Sequence, residues 1–400
     1  MKTIRQIAGN LGFQGLSFGL ERQSALLFFA ATALLFLLRT PYCLTAGEAI
    51  PGWQAEWEKT VQAAKKEGQL SIYGSDDFEA LFKEFHKKYP EISVTGYFAN
   101  GSRAAERLMA ERRGGKYLAD LYLNGMTTGY NVLYKAKVLD PIKPLLVMPE
   151  VVDESKWWKS KHRYLDAEGQ YLFIFNGQSR VEIGYNTKLV DPKEMKSYWN
   201  LLGSKWKGKI VVMDPTLGGA VGTALRFFYS HPALGPKFLE RLLTEMDVTP
   251  SRDSRQIADW LAAGRFAISM FVAPSRADLP KAKEQGLPVD WFDARHFKEG
   301  ASLTSGSGGA GLINRAPHPN AAKVALNWLF SREGQIAYQR TFQSGGEGPD
   351  SLRTDIPKDD VPRDNRRIEG GNYLITDNAE WMDFTPIRTF INDIWAKGKK

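Results

Sequence analysis

The chain holds a single cysteine, Cys43, among 400 residues. One thiol closes no disulfide and leaves no Cys/His zinc set. Histidine is scarce as well. His86, His162, His231, His296 and His318 are scattered, and none forms an HExxH pair. No GxSxG nucleophile elbow and no internal repeat is present. The acidic and basic residues are those of an ordinary surface, so nothing argues for catalysis, and the chain reads as a non-enzyme that needs no metal or cofactor. A strong excess of one charge is also missing. Net charge is +8, and without residues 1–46, which carry Lys2, Arg5, Arg22, Arg39 and Glu21, it is +5. That mild basicity lacks the stripe of a nucleic-acid binder.

Long apolar runs are absent too. The one candidate, residues 25–38, has fourteen residues, too few to span a bilayer comfortably but suited to a signal-peptide core. Basic residues precede it, and Ala46 and Ala49 follow as cleavage points. Residues 1–46 are therefore expected to be an export signal, with an uncleaved anchor as the alternative. Pro41-Tyr42 suits a lipoprotein cysteine poorly, so Cys43 is expected to leave with the signal. The exported chain would be stable in an oxidising compartment by packing alone. With 43% hydrophobic and 24% charged residues the remainder is globular and long enough for two lobes.

What is there is organised around residues 69–126. Residues 69–73 read as a strand closed by Gly74-Ser75. Asp76 and Asp77 are candidate caps for a helix whose Phe78, Leu81, Phe82, Phe85 and Tyr89 recur at helical spacing, and Pro90 stops it. Ile92, Val94 and Phe98 alternate as a strand. Asn100-Gly101-Ser102 opens a second helix that ends at Gly114-Gly115. Residues 120–123 form a third strand running into Asn124-Gly125. Parallel strands joined by helices bind ligands beyond their carboxyl ends. Those ends carry Ser75-Asp76, Gly101-Ser102-Arg103 and Asn124-Gly125-Met126.

Further on, helices are expected over 53–67 and 130–137 and a turn at 139–141. Residues 171–185, broken by Asn176-Gly177-Gln178, read as two extended segments crossing between lobes. Strands are expected at 209–213, 266–272 and 289–292. Helices are expected from 223, over 236–245, 254–263, 281–285 and 320–330, the last continuing to 341. Residues 303–314 read as extended chain, 344–370 as a surface excursion, and 381–395 as a terminal helix or strand-helix. Gly306-Ser307-Gly308-Gly309-Ala310-Gly311 has dinucleotide-fingerprint spacing, but Leu312-Ile313-Asn314 and Pro317 follow, so no helix opens there. Gly203 and Gly208-Lys209 have P-loop spacing, but Ile210 replaces the hydroxyl residue. The loop from Thr216 to Thr223, Gly-rich between a strand and a helix, is either an anion cradle of exposed amides or a plain flexible turn. Arg180, alone in an apolar crossover, needs a partner, either a ligand carboxylate or a structural aspartate. Arg103 and Arg276 are weaker candidates of the same kind.

The segments GQLSIYGSDD, FEALFKEFHKKYPEISV, ERLMAERRGGKYLADLYLNG, SRVEIGYNTKLV, KWKGKIVVMDPTLGG, AAGRFAISM and APHPNAAKVALNWLFSREGQIAYQR stand in this order across about residues 66–340. As a set they resemble the solute-binding proteins of ATP-binding-cassette (ABC) importers, and within these the iron(III)-type group. The resemblance implies an α/β, two-lobed type 2 periplasmic-binding fold, with a ligand cleft between lobes joined by crossing hinge strands. Extrapolated, lobe one holds 52–178 and 306–340, and lobe two holds 180–303 and part of 341–400. It further implies a periplasmic monomer that carries a small solute to a membrane permease. Ferric members hold iron with adjacent tyrosines, a histidine and a glutamate. Their places fall near Val272-Ala273, Ser75-Asp76 and Asn124-Gly125, where those residue types are missing, and Fe(III) needs anionic oxygen ligands. The expected solute is instead a small anion, an organic acid or phosphonate. Ser75, Asp76, Ser102, Asn124 and Gly125 would meet it from lobe one, and Arg180, Thr216, Gly219, Ala220 and Arg276 from lobe two. Other readings are a ferric carrier with non-standard ligands, an exported hydrolase or lyase on a similar scaffold, and a sensing domain anchored by residues 25–38.

Overall fold

The computed structural model describes residues 52–180, 182–271, 278–342, 348–368 and 370–398. The chain begins with α1 (Trp53–Glu67), β1 (Gln69–Gly74), α2 (Asp77–Lys88), β2 (Ser93–Phe98), α3 (Gly101–Arg113) and β3 (Leu121–Leu123). Next come α4 (Met126–Thr128), which runs into a π-helical turn over Gly129–Tyr134, then β4 (Leu139–Asp140), β5 (Arg163–Tyr164), β6 (Leu172–Ile174), β7 (Gln178–Arg180), β8 (Ile183–Asn186) and β9 (Ile210–Met213). The second half holds α5 (Ala220–Ser230), α6 (Gly235–Glu245), β10 (Thr249–Ser251), α7 (Ser254–Ala262), β11 (Ile268–Met270), α8 (Asp278–Glu284) and β12 (Val289–Trp291). It closes with β13 (Ala301–Thr304), β14 (Gly309–Ile313), α9 (Pro319–Phe330), α10 (Arg332–Thr341), β15 (Tyr373–Ile375) and α11 (Thr385–Gly398).

The expected βαβαβ unit is formed. β1 lies parallel to β2 and β3, with Ile72 opposite both Gly96 and Leu121. Phe78, Leu81, Phe82 and Phe85 line the buried face of α2. The capping differs from expectation at one end. Asp76 sits at the N-cap position of α2 but makes no side-chain cap bond, because it is already helical at φ −55°, ψ −34°. Asn100, extended at ψ 156°, can reach back, and its Oδ1 accepts from the Arg103 amide at 3.0 Å.

Three sheets result. The first runs β2-β1-β3-β14-β6-β5, with β4 also on β14. Leu139 and Asp140 are thus a strand, where a turn over 139–141 was expected: Leu139 is buried, and β14 extends past β6 far enough to pair it with Ile313. The second sheet runs β10-β9-β11-β8-β12. In β9, Ile210 and Val212 join one buried cluster and Val211 another, so both faces are covered. The third, β15-β13-β7, holds the crossing strands: β7 lies in the chain between β6 and β8, and β13 between β12 and β14. The extended stretch expected at 303–314 therefore divides between two sheets. The chain bends there at residues 305–308, where a Cβ on Gly308 would lie 2.1 Å from Asn176 Cβ. The glycines of that rejected fingerprint permit close backbone approach.

One hydrophobic cluster surrounds the first sheet, with Phe78 edge-on to Phe175, Phe173 stacked on Phe330, and Trp328 edge-on to Phe82 and Phe85. A second surrounds the other sheet and takes in α5, α6 and the Ile387, Ile391 and Ile394 face of α11. The surface excursion expected over 344–370 is corrected in part. Asp350, Ser351, Leu352 and Arg353 are buried. Arg353 is held by both Asp355 oxygens and by Phe330 O, and Ser351 Oγ donates to Gln335 Oε1 at 2.5 Å. Satisfied polar groups tolerate burial, so composition did not reveal it.

Candidate functional site

The boundary between the two large sheets gathers the strand ends. Ser75 follows β1, and its amide donates to Leu123 O at 3.1 Å. Asn124 follows β3. Its Nδ2 donates to Ala99 O at 2.9 Å and its Oδ1 accepts from the Gly125 amide at 2.9 Å, so it ties the ends of β2 and β3 together. Gly125 faces the turn after β13, where a Cβ would be 3.6 Å from Gly306 O. Asp76 and Ser102 are exposed, at the N-cap of α2 and in the first turn of α3.

From the other side comes α5, which begins three residues earlier than the expected 223. Its N-cap is Gly219 at φ 65°, ψ −126°, a conformation open to glycine, and no side chain caps the helix. Thr216 is exposed, and its amide and hydroxyl both donate to Asp214 Oδ1, at 2.9 and 2.6 Å. Burial pushes Asp214 up, but the bonds from Thr216 and Arg252 outweigh it and hold the carboxyl below its ordinary value. Among the described residues no hydrogen bond joins Thr216, Gly219 or Ala220 to the loops after β1–β3. Arg180 lies on β7 opposite Ser302. Arg276 and the tyrosine-pair position near Val272-Ala273 lie outside the described residues.

A direct link across the boundary comes from a residue the sequence reading missed. Arg226, on α5, is 3% exposed, and its Nη1 and Nη2 both donate to Thr127 Oγ1 at 3.3 Å. Its Nε has no partner among the described residues. Burial pulls the guanidinium below its ordinary pKa, opposed by the negative charge of Asp377. Arg163 on β5 is in the same position: burial lowers it and Asp377 opposes. Arg163 Nη2 donates to Asp377 O at 3.5 Å, and the Ser305 amide donates to Asp377 Oδ2 at 2.5 Å. Ser75 Oγ, Asn176 Oδ1 and Ser305 Oγ are also buried without a partner among the described residues. Most buried polar atoms in native proteins are satisfied, so these atoms have hydrogen-bonding capacity left for a ligand. Arg226 carried a usable signal, a lone arginine among Ala224, Leu225, Phe227 and Phe228. Arg163 and Asp377 carried none.

The C-terminal segment completes the boundary. Met382 is buried in the first cluster, and its O accepts from Asn131 Nδ2 at 2.7 Å. Phe384 lies against Gly222 of α5. Among the described residues no group of three or more His, Cys, Asp or Glu is placed to hold a metal ion. Nor is any described helix long and apolar enough to cross a membrane.

Two sheet-centred lobes, joined by crossing strands with a polar boundary between them, define a two-lobed periplasmic binding protein. Solved structures share that fold. The Trichodesmium protein IdiA (FutA), in complex with iron and citrate, superposes with a TM-score of 0.61 at 19% identity, covering 82% of this chain and 99% of that one. A ferric binding protein from Campylobacter jejuni gives 0.58 at 18%, covering 81% and 99%. AfuA from Actinobacillus pleuropneumoniae, with fructose-6-phosphate bound, gives 0.54 at 18%, covering 83% and 99%. At these identities the likeness speaks for the fold alone. An uncharacterized protein of Haemophilus influenzae is 25% identical over 310 residues, 73% of this chain and 78% of that one. A family model for bacterial extracellular solute-binding proteins matches residues 73–336, more than half of the chain. The chain belongs to that family, and it is the substrate-binding component of an ABC transporter.

Proposed function

We propose that this protein is exported to the periplasm, closes on a small anionic solute between its lobes and releases it unaltered to a membrane permease. Closure about the crossing strands traps the ligand, and the closed form is what the permease reads. The observation that carries the anionic assignment is Arg226: a buried guanidinium whose Nε has no partner among the described residues, facing Thr127 two residues beyond Gly125. Arg163 adds a second positive charge, and the uncapped start of α5 at Thr216, Gly219 and Ala220 a third favourable field for an anion. Ser75, Asp76, Ser102, Asn124 and Gly125 form the facing rim, and Arg180 and Arg276 belong to the hinge and lobe-two side. Residues 1–46 act as the export signal, and the protein works as a monomer without turnover. That AfuA binds fructose-6-phosphate supports an anion on this scaffold. The missing tyrosine pair speaks against bare iron.

The test is mass spectrometry of the small molecule released by denaturing natively purified protein, with metal analysis of the same sample. An organic anion in near-stoichiometric amount is expected. Stoichiometric iron, or a neutral sugar, would overturn the assignment.

A further inference from the structure

We propose that the solute is a zwitterion, its anionic group meeting Arg226 and an ammonium group meeting Asp377. The inference rests on the anionic reading above and narrows it. Asp377 is 7% exposed and comes from far along the chain. Two pairings put it at the boundary: β15 runs parallel to β13, and the Thr376 amide and hydroxyl both donate to Leu303 O at 3.0 Å. One carboxylate oxygen accepts the Ser305 amide, and the other takes no donor among the described residues.

A carboxylate is a poor fixture for a plain anion site, since like charges repel at short range. Here it stands near two arginines without closing an ion pair with either. Arg163 donates to its main-chain oxygen instead, and Arg226 donates to Thr127. Opposite charges are thus held in one neighbourhood with capacity left over: Arg226 Nε has no partner among the described residues, and the second Asp377 oxygen takes no donor among them. A ligand with separated positive and negative groups satisfies both. A simple anion satisfies one and is repelled by the other. Ser305 Oγ and Asn176 Oδ1, buried and without a partner among the described residues, add neutral positions suited to the ammonium end: the Ser305 amide bonds Asp377, and Asn176 Nδ2 donates to Ser305 O.

The test uses the full chain, stripped of ligand, titrated calorimetrically with matched probes: β-alanine and propionate, taurine and ethanesulfonate, aminomethylphosphonate and methylphosphonate. The same protein is also incubated with a bacterial metabolite extract and its retained small molecules identified. In any pair that binds, the amino compound should bind about tenfold or more tightly. Asp377→Asn keeps an acceptor for the Ser305 amide, so the fold is spared; it should bring the two members of a pair to within about threefold. Equal or tighter binding of the amine-free member by the wild type overturns the zwitterion and leaves the anion reading intact. So does a retained anion lacking a basic nitrogen. A retained neutral or cationic solute, or retention of none, overturns both.

Discussion

Replacing Arg226 with methionine should weaken solute binding while strengthening the fold, and the opposite signs separate a ligand group from a structural one. The guanidinium is buried, its two terminal nitrogens share one hydroxyl at 3.3 Å, and Nε has no partner among the described residues. Removing a charge from water costs several kcal/mol per ion, and two long bonds to a neutral acceptor offset only part of that. Methionine occupies a similar volume without a charge. The ligand-free protein should therefore gain about 1–3 kcal/mol, as when buried ionic groups are exchanged for apolar ones. Binding should lose a charge-assisted hydrogen bond, about 1.5–3 kcal/mol. That corresponds to about 10–150-fold in Kd. Urea unfolding of ligand-free protein measures the first, provided the slope m is unchanged. Calorimetry with the released solute measures the second. If the variant loses about 3 kcal/mol or more and its Kd is unmoved, Arg226 is a structural cation and the reasoning from its unpartnered nitrogen fails.

Two further outcomes follow from packing and charge elsewhere. A Cβ on Gly334 would lie 2.0 Å from Trp328 O and 2.8 Å from Leu329 O, so Gly334→Ala must open the joint between α9 and α10. A loss of about 1–3 kcal/mol is expected in thermal unfolding with Kd unchanged, and a wild-type Tm would contradict it. Burial pulls Lys358 down to about 8, against the attraction of Asp350. Between that value and the unfolded chain's roughly 10.4, the unfolded state holds a proton that the folded state lacks. Stability should accordingly rise from about pH 8 to pH 10. Above about pH 10 the sign reverses, because burial raises Tyr73 and Tyr89 to about 12 and the folded state keeps protons the unfolded chain loses. Lys358→Met should flatten the rise between pH 8 and 10, and an unchanged slope would exclude Lys358 as its source.

Much of the architecture was legible because its signals are local. The apolar face of α2, Pro90 beyond it, the Asn100 cap and the break at Asn176-Gly177 each act within a few residues of where they are written. The strand ends of the candidate rim follow from that order alone. Other features were not legible. Leu139 and Asp140 are a strand only because β14, distant in the chain, has an edge to receive them. Ser351 and Arg353 are polar and lie in a loop-like stretch, yet they are buried because Gln335, Phe330 and Asp355 satisfy them.

The candidate site divides in the same way. Ser75, Asn124, Gly125 and the start of α5 could be placed from strand and helix boundaries. Asn124, however, turned out to join two strand ends, a role set by the parallel pairing of β1 with β2 and β3. Sequence by itself determined the lobes' elements and the places where the chain crosses, since periodicity, caps and breakers are short-range physics. Tertiary structure alone decided that Arg163, Arg226 and Asp377 share one neighbourhood. A charge carries no record in the chain of which distant charge it will face, and only the pairing of β15 with β13 and the packing of α5 against Thr127 bring the three together.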